Sequence, residues 1–113
     1  MTESELVYEV RKELSRGDVR LFRNNVGVYE DAAGNWVSYG LAVGSSDLIG
    51  FKRHVIMPRD VGNEVAIFTA LECKGPRGRV TAPQQAFIDM VLAAGGTAGV
   101  VKSVAEAHRL LCY

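Results

Sequence analysis

The stretch from Glu64 to Lys102 constrains the fold more than any other. An apolar run, Val65 to Leu71, ends in Glu72-Cys73-Lys74, and Gly75-Pro76-Arg77-Gly78 then breaks the chain. The spacing predicts a helix from about Ala82 to Ala94. Thr81 and Gln84 stand at capping-box spacing, Pro83 suits a first turn, and Phe87, Ile88, Val91 and Leu92 make an apolar stripe. Gly95-Gly96 stops this helix, and Thr97 to Lys102, centred on Val100-Val101, reads as a strand. A strand, a helix and a strand in this order predict a right-handed crossover between two parallel strands. Both faces of the first strand, Glu64 to Lys74, stay largely apolar until its end. That is the pattern of a central strand covered on both sides, with Cys73 on the core side.

The preceding half adds a helix and shorter strands. Residues 3–15 carry a capping box at Thr2 and Glu5, an apolar stripe of Leu6, Val10 and Leu14, and a stop at Gly17. Val19 to Arg23 reads as a strand. Val26 to Tyr29 and Trp36 to Tyr39 flank the turn-rich Glu30-Asp31-Ala32-Ala33-Gly34-Asn35 and predict a hairpin. Gly40 to Ser46 is a loop, Asp47 to Phe51 a short strand, and Pro58 to Asn63 a connection. Ser103 to Leu111 closes the chain as a helix, boxed by Ser103 and Glu106. With 113 residues, 48% of them hydrophobic, and neither repeat nor linker, the expectation is one domain over residues 1–113. Its class is mixed α/β, a central sheet with helices packed against it.

Composition narrows the function classes. No apolar stretch is long enough to span a bilayer, and the acidic start, Met1-Thr2-Glu3-Ser4-Glu5, is unlike a signal segment, so a cytoplasmic protein is expected. Cys73 and Cys112 make neither a disulfide framework nor a zinc spacing. The formal net charge is zero, which counts mildly against nucleic acid as a partner. Acidic metal ligands, however, offset basic residues in such a sum, and a bound cation restores positive charge locally.

Asp47, followed in sequence by Glu72 and Lys74, fits a divalent-metal phosphodiesterase site. On an extended chain Glu72 and Lys74 point to one face. Two carboxylates suit Mg²⁺, and an ammonium beside them suits a water and a charged phosphate. Each residue also has a plainer reading. Asp47 after Gly44-Ser45-Ser46 fits a turn cap. Glu72 and Lys74 fit a surface ion pair of small energetic worth. Arg23, Asn24 and Asn25 fit a turn or a phosphate contact equally well. Arg77 and Arg79, in a glycine-bounded loop just past Lys74, suit phosphate contacts. The basic groups Arg11 to Arg23 and Lys52 to Arg59 read as solvated surface, and Trp36 and Tyr39 as hairpin packing.

Five ordered blocks carry a family resemblance: Phe22-Arg23-Asn24-Asn25-Val26-Gly27, Val43-Gly44-Ser45-Ser46-Asp47-Leu48-Ile49-Gly50, Leu71-Glu72-Cys73-Lys74, Pro83-Gln84-Gln85-Ala86-Phe87 and Ala94-Gly95-Gly96. In these the chain resembles the PD-(D/E)xK nuclease superfamily. More narrowly, it resembles the stand-alone virus-type replication-repair nuclease (VRR-NUC) domain of phages and bacteria. The resemblance implies a restriction-endonuclease-like mixed central sheet flanked by helices. It implies Asp47 and Glu72 as metal carboxylates, the Cys73 carbonyl as a further ligand, and Lys74 as the catalytic lysine. It also implies Gln85 as the glutamine opening the next helix and Glu5 as the acidic residue of the first helix. Glu9, one turn along, rivals Glu5, and Gln84 rivals Gln85. The chain departs from the pattern at Ser46, where proline is frequent, and at Cys73, where an apolar residue is common.

The implied activity is Mg²⁺- or Mn²⁺-dependent hydrolysis of DNA by an endonuclease acting on branched DNA such as four-way (Holliday) junctions, as a homodimer. The apolar hairpin residues Val28, Tyr29, Trp36 and Val37 are the candidate interface. The competing class is a non-catalytic DNA-binding or structural phage protein that keeps the fold.

Overall fold

The computed structural model describes residues 2–112. The chain divides into two compact units, Met1–Lys52 and Arg53–Tyr113.

The first unit opens with α1 (Glu3–Leu14), capped as the sequence predicts: the Thr2 hydroxyl accepts from the Glu5 N–H, and the Glu5 carboxylate accepts from the Thr2 N–H at 2.9 Å. Its buried side chain is Val7; Leu6 and Leu14, two residues of the expected stripe, are exposed. Gly17 takes φ 63° in the turn to β1 (Val19–Arg23), a conformation costly for any residue with a Cβ. Ser15 and Arg11 tie α1 to that strand. The Leu21 N–H donates to Ser15 Oγ at 2.8 Å, and Arg11 Nε donates to the Leu21 carbonyl at 3.2 Å. Arg20 likewise donates to the carbonyls of Gly17 and Val19. Arg11 and Arg20 therefore have local structural work.

The hairpin forms as expected. β2 (Gly27–Glu30) pairs antiparallel with β3 (Trp36–Tyr39), and Asp31 organises the turn by accepting from the N–H groups of Ala33 and Asn35. Tyr39 lies over Gly27, where a Cβ would meet its ring, and packs on Tyr29 with centroids 6.2 Å apart. Trp36 does not share in this packing and is 70% exposed. β4 (Leu48–Lys52) returns antiparallel to β1, pairing Phe22 with Ile49 and Arg23 with Leu48. Gly50 is the point of closest approach, because a Cβ there would run into the Arg20 carbonyl.

The second unit begins with a 3-10 turn at Pro58–Asp60, then β5 (Thr69–Cys73), α2 (Ala82–Ala93), β6 (Thr97–Val101) and α3 (Val104–Leu111). β5 and β6 pair in parallel, from Thr69 with Thr97 to Cys73 with Val101, so the strand–helix–strand reading holds. The core is Ile88, Val91 and Ala98, with Phe68, Ala70, Met90 and Val100 packed against it. α2 is boxed by Thr81 and Gln84 and ends in a Schellman turn. There the Gly96 N–H donates to the Val91 carbonyl, the Gly95 N–H donates to the Leu92 carbonyl, and Gly95 has φ 92°. In α3 only half of the expected box forms. Ser103 Oγ accepts from the Glu106 N–H, but the Glu106 carboxylate takes the Lys102 N–H.

Three expectations need correction. Among the described residues the strands form three two-stranded sheets, where one central sheet was expected. The mixed α/β class stands. The long strand Glu64–Lys74 shrinks to Thr69–Cys73, because β6 offers only five partners and the Gly95-Gly96 turn ends its reach at the Phe68 carbonyl. Val65 and Ile67, left without a ladder, are exposed. Finally, Cys73 is exposed rather than in the core, and of the α2 stripe only Ile88 and Val91 are buried, with Phe87 37% and Leu92 50% exposed.

Candidate active site

In the first unit Asp47, the metal carboxylate expected from the sequence, is the residue just before β4. Its main chain continues the β1–β4 ladder by one step, the Asn24 N–H donating to the Asp47 carbonyl at 2.8 Å. Its side chain is exposed, and within this unit the carboxylate has no hydrogen bond or ion pair among the described residues. The loop leading into it is built by two left-handed glycines, Gly40 and Gly44, at φ 89° and 82°. At Gly40 a Cβ would also lie 2.5 Å from the Asn25 carbonyl oxygen.

Asn24 holds this loop from inside. Its Nδ2 donates to Ser45 Oγ at 2.7 Å and to the Ser46 carbonyl at 2.9 Å, and its Oδ1 accepts from the Leu41 N–H at 3.0 Å. Ser45 Oγ donates in turn to the Ala42 carbonyl at 2.6 Å. Of the three residues read as a turn or a phosphate contact, Asn24 shapes the turn. Arg23 and Asn25 are exposed and linked to each other, Arg23 Nε donating to Asn25 Oδ1 at 2.8 Å.

In the second unit the expected residues Glu72 and Lys74 lie at the end of β5. Glu72 and Lys74 share a face, with Lys74 Nζ 3.3 Å from Glu72 Oε1. The Lys74 N–H donates to the Val101 carbonyl, so the residue stays in register although it lies past the end of β5. Its side chain is only 18% exposed and that of Glu72 31%, which separates this contact from a fully solvated surface pair. Gly78 lies against the lysine stem. A Cβ there would stand 3.1 Å from Lys74 Cβ and 3.2 Å from Cδ. The turn holding Gly78 in place is closed by its N–H to the Gly75 carbonyl at 3.0 Å. Arg77 and Arg79 follow as exposed cations with no hydrogen bond or ion pair among the described residues.

The remaining expected residues have local partners. Gln84 is taken by the cap of α2, its Oε1 accepting from the Thr81 N–H, which leaves Gln85 as the exposed glutamine of the pair. Gln85 Nε2 donates to Asp89 Oδ1 at 2.9 Å, one turn along. Glu5 serves the cap of α1, and Glu9 is half-buried. Within each unit, among the described residues, no three His, Cys, Asp or Glu side chains gather as a metal cluster. The expected donors, the carboxylates of Asp47 and Glu72 and the Cys73 carbonyl, are oxygens, the donor type that fits a hard cation. Ser45 and Gly78 were not singled out by the sequence. Nothing local marks a serine whose partner is 21 residues away, or a glycine whose neighbour is a lysine stem.

Neither curated proteins nor solved structures show a match to the chain. The family model of the VRR-NUC domain matches residues 13–105, from the last turn of α1 into α3. No helix among the described residues is long and apolar enough to cross a membrane. The match takes in the Asp47 loop, the Glu72–Lys74 strand end and the start of α2, and with most of its length so covered the chain belongs to the VRR-NUC domain family, whose function is DNA processing of the nuclease type.

Proposed function

We propose that this protein is a Mg²⁺- or Mn²⁺-dependent DNA endonuclease that hydrolyses phosphodiester bonds in branched DNA such as four-way junctions. It acts as a cytoplasmic homodimer. The observation that carries the reading is the half-buried contact of Lys74 with Glu72 at the end of a strand, inside the region matched by a nuclease family.

Asp47, Glu72 and the Cys73 carbonyl would each offer the cation an oxygen donor, as the family resemblance implies, with Glu5 in support. When bound, the cation supplies Lewis-acid polarisation of a phosphoryl oxygen and a more acidic water. Glu72 keeps the ammonium of Lys74 fixed at the strand end. Lys74 then orients the attacking water and offsets charge growing on the phosphate, in a position already shielded from solvent. Gln85, at the exposed start of α2, steadies the water or phosphate by turning its amide from Asp89. Arg77 and Arg79 take the flanking backbone phosphates, and Arg23 and Asn25 are further exposed contacts. A homodimer matches two symmetric cuts across a junction. The exposed hairpin residues Val28, Tyr29 and Trp36 offer apolar surface for it.

Cleavage of linear, flapped, single-stranded and four-way DNA with Mg²⁺ or Mn²⁺, beside Asp47→Ala and Glu72→Ala, tests the reading. Metal-dependent nicking of the junction, lost in both variants, is the expected result. Binding of all four substrates without cleavage would instead identify a DNA-binding module that lacks the chemistry.

A further inference from the structure

We propose that Asn24 is a positioning residue for Asp47, acting on cation binding and not on DNA. The proposal rests on reading Asp47 as a metal ligand. Its basis is the complete commitment of the Asn24 amide. An asparagine side chain has two N–H donors and one carbonyl acceptor group. Here one N–H goes to Ser45 Oγ, the other to the Ser46 carbonyl, and the carbonyl oxygen takes the Leu41 N–H. These partners also fix which way the amide faces, since a flipped amide would set NH₂ against an N–H and oxygen against a carbonyl. No amide hydrogen remains for a phosphate.

All three side-chain partners lie in the loop that ends at Asp47, and the Asn24 main chain binds Asp47 itself. One residue therefore clamps the loop near its beginning and end while securing the backbone from which the carboxylate projects. Ser45 extends the clamp to Ala42 through its hydroxyl, which donates to the Ala42 carbonyl and accepts from the Ala42 N–H. A loop containing Gly40 and Gly44 in left-handed conformations has much freedom to lose, and the clamp removes it before a ligand arrives. Outer partners that orient a metal ligand commonly govern affinity by about tenfold to a hundredfold.

The test uses the full chain and Mn²⁺ as the probe. Calorimetric titration of Mn²⁺ without DNA is paired with anisotropy measurements of junction binding in EDTA, for wild type, Asn24→Ala, Ser45→Ala and Asp47→Ala. Asn24→Ala is expected to weaken Mn²⁺ binding about tenfold or more. Its metal-free DNA affinity should stay within about twofold of wild type, and its cleavage should recover at high Mn²⁺. Ser45→Ala should shift Mn²⁺ binding in the same direction by less, and it carries the test if Asn24→Ala fails to fold. Unchanged Mn²⁺ affinity in both clamp variants, with Asp47→Ala impaired, would overturn the proposal and leave Asp47 a ligand. Wild-type Mn²⁺ binding by Asp47→Ala would overturn the ligand reading itself, and the proposal with it. Loss of metal-free DNA binding by Asn24→Ala, at unchanged Mn²⁺ affinity, would make Asn24 a phosphate contact.

Discussion

The ammonium of Lys74 lies 3.3 Å from Oε1 of Glu72, two residues back along the same strand face. Alternation in an extended chain brings the two together, and the ladder bond from the Lys74 N–H to the Val101 carbonyl keeps the second of them extended beyond the strand's last paired residue. The pair is neither deeply buried nor free in water. Removing it therefore has a small expected effect on folding and a large one on any chemistry needing a fixed ammonium.

Glu72→Ala and Lys74→Ala should each reduce DNA cleavage on the order of a hundredfold or more. Stability should change by about 1 kcal/mol or less, as for partly exposed ion pairs. Single-turnover cleavage and urea denaturation, run on the same preparations, check both halves. A variant that unfolds at much lower urea would assign the pair to the fold.

Gly78→Ala places a methyl group 3.1 Å from Lys74 Cβ, 3.2 Å from its Cδ and 3.3 Å from the Gly75 nitrogen, so Cδ can swing aside but the main chain that carries Cβ must also give by a few tenths of an ångström. The expected outcome is a tenfold-scale fall in kcat, by displacement of the ammonium, with a stability loss of about 1 kcal/mol. Kinetics at saturating DNA, together with the NMR shift of the Lys74 ε-methylene, report the displacement directly.

Gly95→Ala forces a left-handed conformation, φ 92°, on a residue with a Cβ and should cost about 1–2 kcal/mol. Gly96→Ala should cost more, since its Cβ would stand 2.7 Å from both the Phe68 carbonyl oxygen and Val91 Cγ1, and Val91 is fully buried. Denaturant midpoints of the two variants give the order.

Asp60 provides a pH-dependent contribution in the second unit. A hydrogen bond with the His54 ring at 2.7 Å, and then one from the Met57 N–H, hold its carboxyl below the ordinary carboxylate range. A native pKa below the unfolded one means that the ionised form stabilises the fold. That contribution is complete above the ordinary carboxylate value and is lost as pH falls through the lowered native value. Asp60→Asn should therefore lower stability at neutral pH and match wild type in strong acid. His54→Ala should raise the Asp60 pKa, read by NMR titration of its carboxyl carbon.

Much of the local structure was legible because its signals act over three or four residues. The boxes at Thr2–Glu5 and Thr81–Gln84, the stop at Gly95-Gly96 and the turn of the hairpin have their partners close in sequence, and the parallel strand pair followed from the strand–helix–strand order. The spacing of Glu72 and Lys74 set their common face for the same reason. The five blocks, read in order, led to the family that the match to residues 13–105 bears out. Gln84, at the third helical position, bonds back to the cap, while Gln85 bonds to Asp89 one turn along.

Tertiary structure decided the rest, where partners are distant or burial depends on neighbours. Apolarity alone made Val65 and Ile67 look like strand, yet a strand extends only as far as its partner, and β6 begins at Thr97, opposite Thr69. Cys73, Phe87, Leu92 and Trp36 have core-type side chains but are left exposed among the described residues. Asn24 had two roles of equal standing until folding set Leu41, Ser45 and Ser46 around its amide. Short-range hydrogen-bond geometry is written in residue order; which groups meet across twenty residues depends on the path of the folded backbone.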